Sequence, residues 1–186
     1  AGWIEYDWRW KNTANRLTKP IFDKPIWNGG QLAGKNLLLH CEQGFGDAIQ
    51  FIRYAGLIEK SGGKIFLACQ PELLDLLKDA PGIDEAYIFG NQIPSYDFQA
   101  PLLSLPGITG CLVTEPKTMK SYLKVSTKQV EPRSLNKNLK IGIFWAGRQR
   151  HIHDPYRNRR CPVKLFEILA QLPNVIFYNL QYNQKI

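Results

Sequence analysis

Hydrophobic and polar positions alternate along the chain in the order expected of parallel strands joined by helices. Residues 36–41 form a mostly apolar run bounded by turn signals, which is typical of a parallel strand buried on both faces. Apolar residues then recur at the helical period over 48–58, and 64–69 is a second apolar run. A strand, a glycine turn, a helix and another strand in this order predict a right-handed βαβ unit.

The same alternation continues toward the middle of the chain. It predicts a helix at 71–78, a strand at 85–89 and a short extended piece at 96–99. Residues 101–110 contain two prolines and two glycines, and we expect a loop with a short helix there. Near the N-terminus, four residues recur at roughly helical spacing and predict a short helix with an aromatic face: Trp3, Tyr6, Asp7 and Trp10.

The second half of the chain begins a new pattern. Residues 114–138 are basic, polar and poor in periodicity, and a strand, a helix and a strand are then predicted at 140–145, 162–172 and 174–180. The fold class is therefore α/β, with a Rossmann-like parallel sheet flanked by helices, followed by the opening βαβ of a second such domain. The predicted parts are an aromatic helix and loop at 1–30, a Rossmann-like domain at 31–125, a basic linker at 126–138 and an incomplete second domain at 139–186.

Composition narrows the class of protein. A hydrophobic fraction of 44% and a charged fraction of 22% exclude a disordered tail, a collagen-like fibre and a disulfide-scaffold miniprotein. No run approaches 18 apolar residues, so we predict no membrane span. The four cysteines form no CxxC pair and no zinc-finger spacing, which predicts reduced thiols in a cytoplasmic protein and no metal.

The charge is concentrated in one part of the chain. Residues 117–160 hold twelve Lys and Arg against Glu131 and Asp154, a local balance of +10 within a net charge of +8. Such a block indicates an anionic partner without naming it, and a solvated basic surface explains it equally well. A non-catalytic module that binds a polyanion or a partner chain is therefore the alternative function. Nucleic acid is not the expected partner, because no basic helix interleaves aromatic side chains as stacking platforms.

A glycine turn separates the first predicted strand from its helix, at residues 42–47. Such a turn presents unpaired N–H groups and the positive end of the helix dipole, so Gln43, Gly44 and Gly46 are candidate binding residues. Asp47 has two interpretations. It is either a helix N-cap or a general base at the carboxyl edge of a parallel sheet, where α/β proteins bind ligands.

The glycine turn departs from the dinucleotide-binding pattern. Its third glycine position is Ile49, and Cys69 and Gln70 stand where an acidic residue is expected to bind the ribose. A nicotinamide or flavin oxidoreductase is therefore disfavoured. The chain also lacks the phosphate-loop sequence of nucleotide hydrolases.

A second turn, after the predicted strand at 140–145, is rich in arginine. Residues 148–160 hold five Arg and two His, and the planar guanidinium suits phosphate. A disordered basic loop or a non-specific nucleic-acid footprint is the competing explanation. The spacing of the two His is not that of a metal site. The candidate phosphate- or substrate-binding residues here are Trp145, Gly147, Arg148, His151 and Asp154.

Several strings in this chain resemble one family. They are Trp3-x-x-Tyr6-x-Trp8-Arg-Trp10, Pro25-x-Trp27-x-Gly29, Gly34-Lys-x-Leu-Leu-Leu-His40-x-Glu42-Gln-Gly-Phe-Gly-Asp47-x-Ile-Gln50-Phe-x-Arg53-Tyr54, Pro101-Leu-Leu-Ser104-Leu-Pro106 and Trp145-Ala-Gly147-x-x-x-His151-x-x-Asp154. Together they resemble the bacterial glycosyltransferase-like region that often follows tetratricopeptide repeats. That region is akin to heptosyltransferases and, more distantly, to protein O-GlcNAc transferases.

The resemblance implies the GT-B architecture, in which two Rossmann-like domains hold the active site between them. The first domain would bind the acceptor and the second most of the nucleotide-sugar donor, without metal or other cofactor. By matching position Asp47 would be the general base of an inverting transfer. The Trp145 turn would approach the sugar or its phosphates, so the resemblance implies that Arg148, His151 and Asp154 contact the donor directly.

The sequence departs from the family pattern in two places. His153 replaces an expected Asn, and extra residues move Arg157 or Arg159 into the position of a later Arg. The chain also stops at Ile186, before most of the donor domain that the family would have. We therefore expect this polypeptide to be inactive alone, and we expect unfinished apolar edges to favour a homodimer.

Overall fold

A four-stranded parallel sheet lies at the centre of the first part of the chain. The computed structural model describes residues 2–11, 22–110, 121–124, 138–146 and 161–181. These residues fall in two units, Ala1–Lys128 and Gln129–Ile186.

The sheet confirms the predicted α/β class. Its strands are β1 (Leu37–His40), β2 (Ile65–Cys69), β3 (Glu85–Ile88) and β4 (Phe98–Pro101). They run parallel in the order β3-β2-β1-β4, so the chain proceeds outward from β1 to β3 and then returns to the other side of β1. The carboxyl ends of β1 and β4 therefore meet at the point where the strand order reverses. Open α/β sheets bind their ligands at such a switch point.

Helices cover one face of the sheet. They are α2 (Phe45–Phe51), continued by a 3₁₀ helix at Ile52–Leu57, and α3 (Leu74–Leu77), preceded by a 3₁₀ turn at Pro71–Leu73. Alternate strand residues point into this face and form the main core, including Leu37, Leu39, Cys41, Ile65, Leu67 and Cys69. The apolar runs of β1 and β2 are fully buried, as expected for strands covered on both sides.

The other face of the sheet has a thinner cover. Its buried apolar residues are Leu38, Phe66 and Ala68, and partly buried side chains from the irregular connection between β3 and β4 pack against them. Two polar groups lie on this face as well, with His40 Nε2 2.8 Å from Gln99 Oε1. The apolar packing of the sheet is therefore concentrated on the face that carries α2.

The N-terminal segment packs on the same unit. It comprises α1 (Gly2–Tyr6) and a 3₁₀ turn at Asp7–Trp10, which confirms the predicted short aromatic helix. The ring of Trp3 lies edge-on to Phe51, the last residue of α2, with centroids 5.7 Å apart. Trp3 also lies against α4 (Leu105–Ile108), where a Cβ at Gly107 would come within 3.3 Å of the Trp3 Cβ.

The second unit contains the predicted strand, helix and strand. β5 (Leu139–Ile143) pairs in parallel with β6 (Val175–Asn179), and a 3₁₀ turn at Val163–Phe166 leads into α5 (Glu167–Ala170). Of the residues that the structure describes in this unit, Ala146 alone is buried. Across both units, none of the described helices is long and apolar enough to cross a membrane.

We expect the sheet core to dominate the stability of the first unit. Leu39→Ala removes a side chain that is 0% exposed, and such a deletion costs about 2–5 kcal/mol because a cavity remains. Leu57→Ala is the matched control, since Leu57 is 54% exposed and surface changes usually stay within about 0.5 kcal/mol. Urea unfolding followed by tryptophan fluorescence measures both variants. Equal losses of stability would contradict this account of the core.

Candidate functional site

The carboxyl ends of β1 and β4 are joined by a side chain from the N-terminal segment. Glu42 lies two residues after β1, and Ser104 ends the 3₁₀ turn that follows β4. Arg9 reaches both of them from the turn after α1, and it is only 8% exposed. A charged side chain is rarely buried to this extent unless it is paired.

Arg9 is paired with two carboxylates and a hydroxyl. Its Nη2 donates to Glu42 Oε1 at 2.9 Å, to Glu42 Oε2 at 3.1 Å and to Ser104 Oγ at 2.7 Å. Its Nη1 donates to Asp7 Oδ1 at 2.6 Å, and Ser104 Oγ donates to the same Asp7 oxygen at 2.8 Å. We call these four residues the Arg9 cluster. Arg9, Asp7 and Ser104 close a ring of hydrogen bonds, and Arg9 joins Glu42 to it, so the cluster connects three segments of the chain.

Two aromatic rings enclose the guanidinium of Arg9. Its central carbon lies 4.6 Å from the ring centroids of both Tyr6 and Trp10. The negative face of an aromatic ring attracts a cation, and the planar guanidinium stacks on such rings better than the ammonium of lysine would. The aromatic residues of the N-terminal segment therefore hold the positive charge that pairs with Glu42.

Burial changes the titration of Glu42. Its side chain is 0% exposed, and removal from water raises its pKa to about 7 by disfavouring the charged form. The charge and hydrogen bonds of Arg9 and the backbone N–H of Leu103 oppose this rise, whereas the negative charge of Asp7 adds to it. The carboxyl of Glu42 therefore titrates close to neutral pH while it remains within reach of Arg9.

The glycine turn begins α2 earlier than predicted. Gly44 is the N-cap and Asp47 is the third helical residue, so the prediction that Asp47 itself is the N-cap was wrong. Asp47 reaches back instead, and its Oδ2 accepts a hydrogen bond from the Gly44 N–H at 3.1 Å. The Asp47 side chain is half-buried, whereas Gly44 and Gly46 are exposed. Its carboxylate thus stabilises the turn and still faces solvent, so the interpretation of Asp47 as a general base stays a prediction.

Gln43 is held from two directions. Its side-chain Nε2 donates to the Tyr6 hydroxyl at 3.4 Å, and its backbone carbonyl accepts from Gln70 Nε2 at 3.1 Å. Tyr6 belongs to α1, and Gln70 follows β2. The backbone of the glycine turn is therefore fixed by the next strand of the sheet and its side chains by the N-terminal segment.

The second unit holds the start of the arginine-rich turn. Gln181 Oε1 accepts from the backbone N–H of Trp145 at 3.3 Å and from that of Ala146 at 2.9 Å. Gln181 Nε2 returns a hydrogen bond to the Ala146 carbonyl at 2.9 Å. Since Gln181 is the second residue after β6, its amide ties the ends of both strands together.

The predicted site residues are thus distributed as follows. Gln43, Gly44, Gly46 and Asp47 lie together in the first unit, and Trp145 lies in the second. The remaining candidates lie outside the described residues: Gly147, Arg148, His151 and Asp154.

Sequence reasoning missed three polar residues in this region, because Asp7, Arg9 and Ser104 were not predicted as site residues. Glu42 was predicted only to line the glycine turn, where it could orient a hydroxylated substrate together with Gln43. The available signal was an acidic residue directly after a buried strand, together with an Arg placed between two Trp. An unpaired acid at such a place requires a cation, and the sequence offers one in an aromatic setting.

The cysteines agree with the prediction of free thiols where they are described. Cys41, Cys69 and Cys161 are free, and the first two are buried. Burial raises the pKa of both buried thiols, that of Cys69 to about 11, so they are protonated at neutral pH. Within the described part of the chain, no three His, Cys, Asp or Glu side chains are grouped as a metal site.

No protein-family model, no curated protein and no solved structure matches this chain. The Arg9 cluster and the glycine turn are therefore the features from which we infer a function. The resemblance found in the sequence remains a prediction beside it.

We expect Glu42→Gln to change how stability depends on pH. The pKa of about 7 in the folded state lies above the value of 4.5 for an unperturbed Glu, so the folded chain binds the proton more tightly than the unfolded chain does. This stabilisation is complete below the unfolded pKa and is lost as pH rises toward 7. The free energy of unfolding of the wild type, minus that of Glu42→Gln, should therefore fall between about pH 5 and 8.

Urea unfolding at several pH values in this range measures that difference. Glu72→Gln is the matched control, because Glu72 is an exposed Glu in the same unit. The free energy of unfolding of the wild type, minus that of Glu72→Gln, should not fall with pH in the same way. A difference for Glu42→Gln that is constant with pH would contradict the raised pKa.

Proposed function

We propose that this chain forms the acceptor side of a GT-B glycosyltransferase, which transfers a sugar from a nucleotide-sugar donor to an acceptor hydroxyl. The observation that carries the proposal is the half-buried Asp47 carboxylate at the carboxyl end of β1, beside the switch point of the sheet. The family resemblance of the glycine turn and the Trp145 turn supports it. The chain's two units are also consistent with a two-domain enzyme.

In this proposal Asp47 is the general base. Its carboxylate accepts the proton of the acceptor hydroxyl while the hydroxyl oxygen bonds to the anomeric carbon of the donor sugar. The bond from that carbon to the nucleotide diphosphate breaks, and the diphosphate leaves with the electron pair. The hydrogen bond from the Gly44 N–H holds one carboxylate oxygen in place, which reduces the reorganisation that the proton transfer requires.

The surroundings of Asp47 suit a hydroxylated acceptor. The Gln43 amide and the Tyr6 hydroxyl lie 3.4 Å apart near the turn, and both groups donate and accept hydrogen bonds. Phe45, the first residue of α2, is 46% exposed and offers an apolar surface beside them. Polar groups combined with an exposed ring favour a sugar or a similar hydroxylated ring over a purely apolar acceptor.

The Arg9 cluster argues against a dinucleotide at the same sheet edge. In a dinucleotide-binding sheet the pyrophosphate lies at the switch point and the helix N-terminus. Here Arg9 donates hydrogen bonds to both Glu42 and Ser104, which lie after the ends of β1 and β4. The acidic members of the cluster would also repel a pyrophosphate. This supports an acceptor site at the glycine turn over the oxidoreductase alternative.

The donor is assigned to the second unit. In this proposal the basic run at 148–160 binds the donor diphosphate, because its five Arg can donate hydrogen bonds to phosphate oxygens. The start of that turn is fixed by Gln181, which bonds to the backbone of Trp145 and Ala146. Because the residues before the basic run are already fixed, less conformational entropy is lost when a ligand binds there.

We expect Asp47→Asn to abolish most transfer without loss of the fold. Asparagine keeps an oxygen that accepts the Gly44 N–H, but it cannot accept the substrate proton at neutral pH. General-base catalysis contributes about 10²–10⁴-fold, so kcat should fall by this order. The assay measures nucleotide release from a panel of nucleotide-diphosphate sugars with glycan and peptide acceptors, using the protein as its gene encodes it.

Asp79→Asn is the control for this substitution, because Asp79 is exposed near the end of α3. Turnover by Asp47→Asn at the wild-type rate would refute the base assignment alone. An absence of nucleotide release by the protein as its gene encodes it, with every donor and acceptor pair, would refute the transferase proposal.

Binding of a polyanion is the second candidate function, and the balance of +10 over residues 117–160 favours it. It predicts that a mixed-sequence oligonucleotide binds with an affinity that falls steeply as salt rises, because counterions are released on binding. Reversal of charge at Arg157, Arg159 and Arg160 should then abolish binding, whereas Asp47→Asn should not alter it. Fluorescence anisotropy at two salt concentrations measures this, and salt-independent binding would contradict it.

A further inference from the structure

The N-terminal segment, residues 2–11, contacts the elements that build the glycine turn. Trp3 lies against Phe51 at the end of α2, and the Tyr6 hydroxyl accepts a hydrogen bond from Gln43. Arg9 pairs with Glu42, which begins the turn. The segment therefore contacts the first two residues of the turn and the end of the helix that follows it.

Arg9 has a geometry that few other side chains could supply. Its Nη2 bonds to residues after two different strands, Glu42 after β1 and Ser104 after β4. Its Nη1 bonds to Asp7 of its own segment. The planar fork of a guanidinium can satisfy these directions at once, whereas the ammonium of lysine is a compact charge on a flexible stem.

The burial of this pair needs an explanation beyond attachment of the segment. Taking both charges out of water is unfavourable, and an apolar pair of similar volume often stabilises a fold as well or better. The Trp3 contact already supplies such apolar attachment. What the ion pair adds is a fixed direction for the Glu42 side chain and thus for the backbone that enters the turn.

We propose that Arg9 is a positioning residue: through Glu42 and Ser104 it fixes the glycine turn at 42–47, so that the N-terminal segment is an integral part of the site. The placement of the turn decides where the Gly44 N–H meets the Asp47 carboxylate, at 3.1 Å. The effect of Arg9 on turnover rests on the proposed function. Its effect on the turn does not.

Amide hydrogen exchange tests the inference on the full chain. In Arg9→Lys we expect peptides that cover 42–50 to exchange about tenfold faster than in the wild type, because the turn opens locally. Peptides that cover β2 should keep wild-type protection. Lys11→Met is the matched control, since it removes a charge from the same segment at an exposed side chain. It should leave exchange at the turn unchanged.

A merely structural role for Arg9 makes a different prediction. In that case exchange would rise uniformly across β1, β2 and the turn, as global stability falls, and this outcome would overturn the inference. Unchanged exchange in Arg9→Lys would overturn it as well. A single substitution leaves one buried charge without its partner, and such a variant can fail to fold. The double variant Arg9→Met with Glu42→Met has no buried charge at this place, so it serves as the second variant. If the turn regained wild-type protection in that double variant, the positioning role would also be refuted.

Nucleotide release separates this inference from the proposed function. If the wild type transfers sugar, Arg9→Lys should lower kcat more than it changes KM, because the turn carries the proposed base. A wild-type kcat in Arg9→Lys would overturn the positioning role. If the wild type releases no nucleotide from any donor, the proposed function fails, and local exchange at 42–50 still decides whether Arg9 positions the turn.

Discussion

The buried ion pair between Arg9 and Glu42 is the interaction on which the arrangement of the site depends. Their side chains are 5% and 0% exposed, so neither charge can be satisfied by water in place of the other. The pair joins residues 33 positions apart, and the bond from Arg9 to Ser104 spans 95 positions. Contacts between residues that are distant in sequence thus hold the N-terminal segment, the end of β1 and the end of β4 together at the edge of the sheet.

The sheet explains why this contact lies where it does. Because the strand order reverses beside β1, the carboxyl ends of β1 and β4 lie next to each other, and their following residues must meet. In other open α/β sheets this place receives a ligand. Here Arg9 fills it, and the accessible chemistry lies at the adjacent glycine turn. Asp47 and Gln43 are partly exposed there, whereas Arg9 and Ser104 behind them are buried.

Much of the fold was predictable because its buried strands are short apolar runs that can be recognised from neighbouring residues alone. The apolar runs of β1 and β2 were visible in the sequence, and a glycine turn after β1 implied a site at that edge. The position of Asp47 within the helix was predicted wrongly, because the cap depends on backbone geometry that the spacing of residues does not show. The pairing of Arg9 with Glu42 was not predicted: both residues were visible in the sequence, but a contact over 33 positions is decided by topology. The raised pKa of Glu42 follows from burial, which only the folded chain reveals.

A double-mutant cycle on Arg9 and Glu42 tests the central claim most directly. The free energy of unfolding is measured for the wild type, Arg9→Met, Glu42→Gln and the double variant at pH 8, where the wild-type carboxyl is mostly ionised. Residues in one buried network couple by about 0.5–3 kcal/mol, and the account predicts a favourable coupling in the upper part of this range. Additive effects, with a coupling near zero, would mean that the pair does not organise the site.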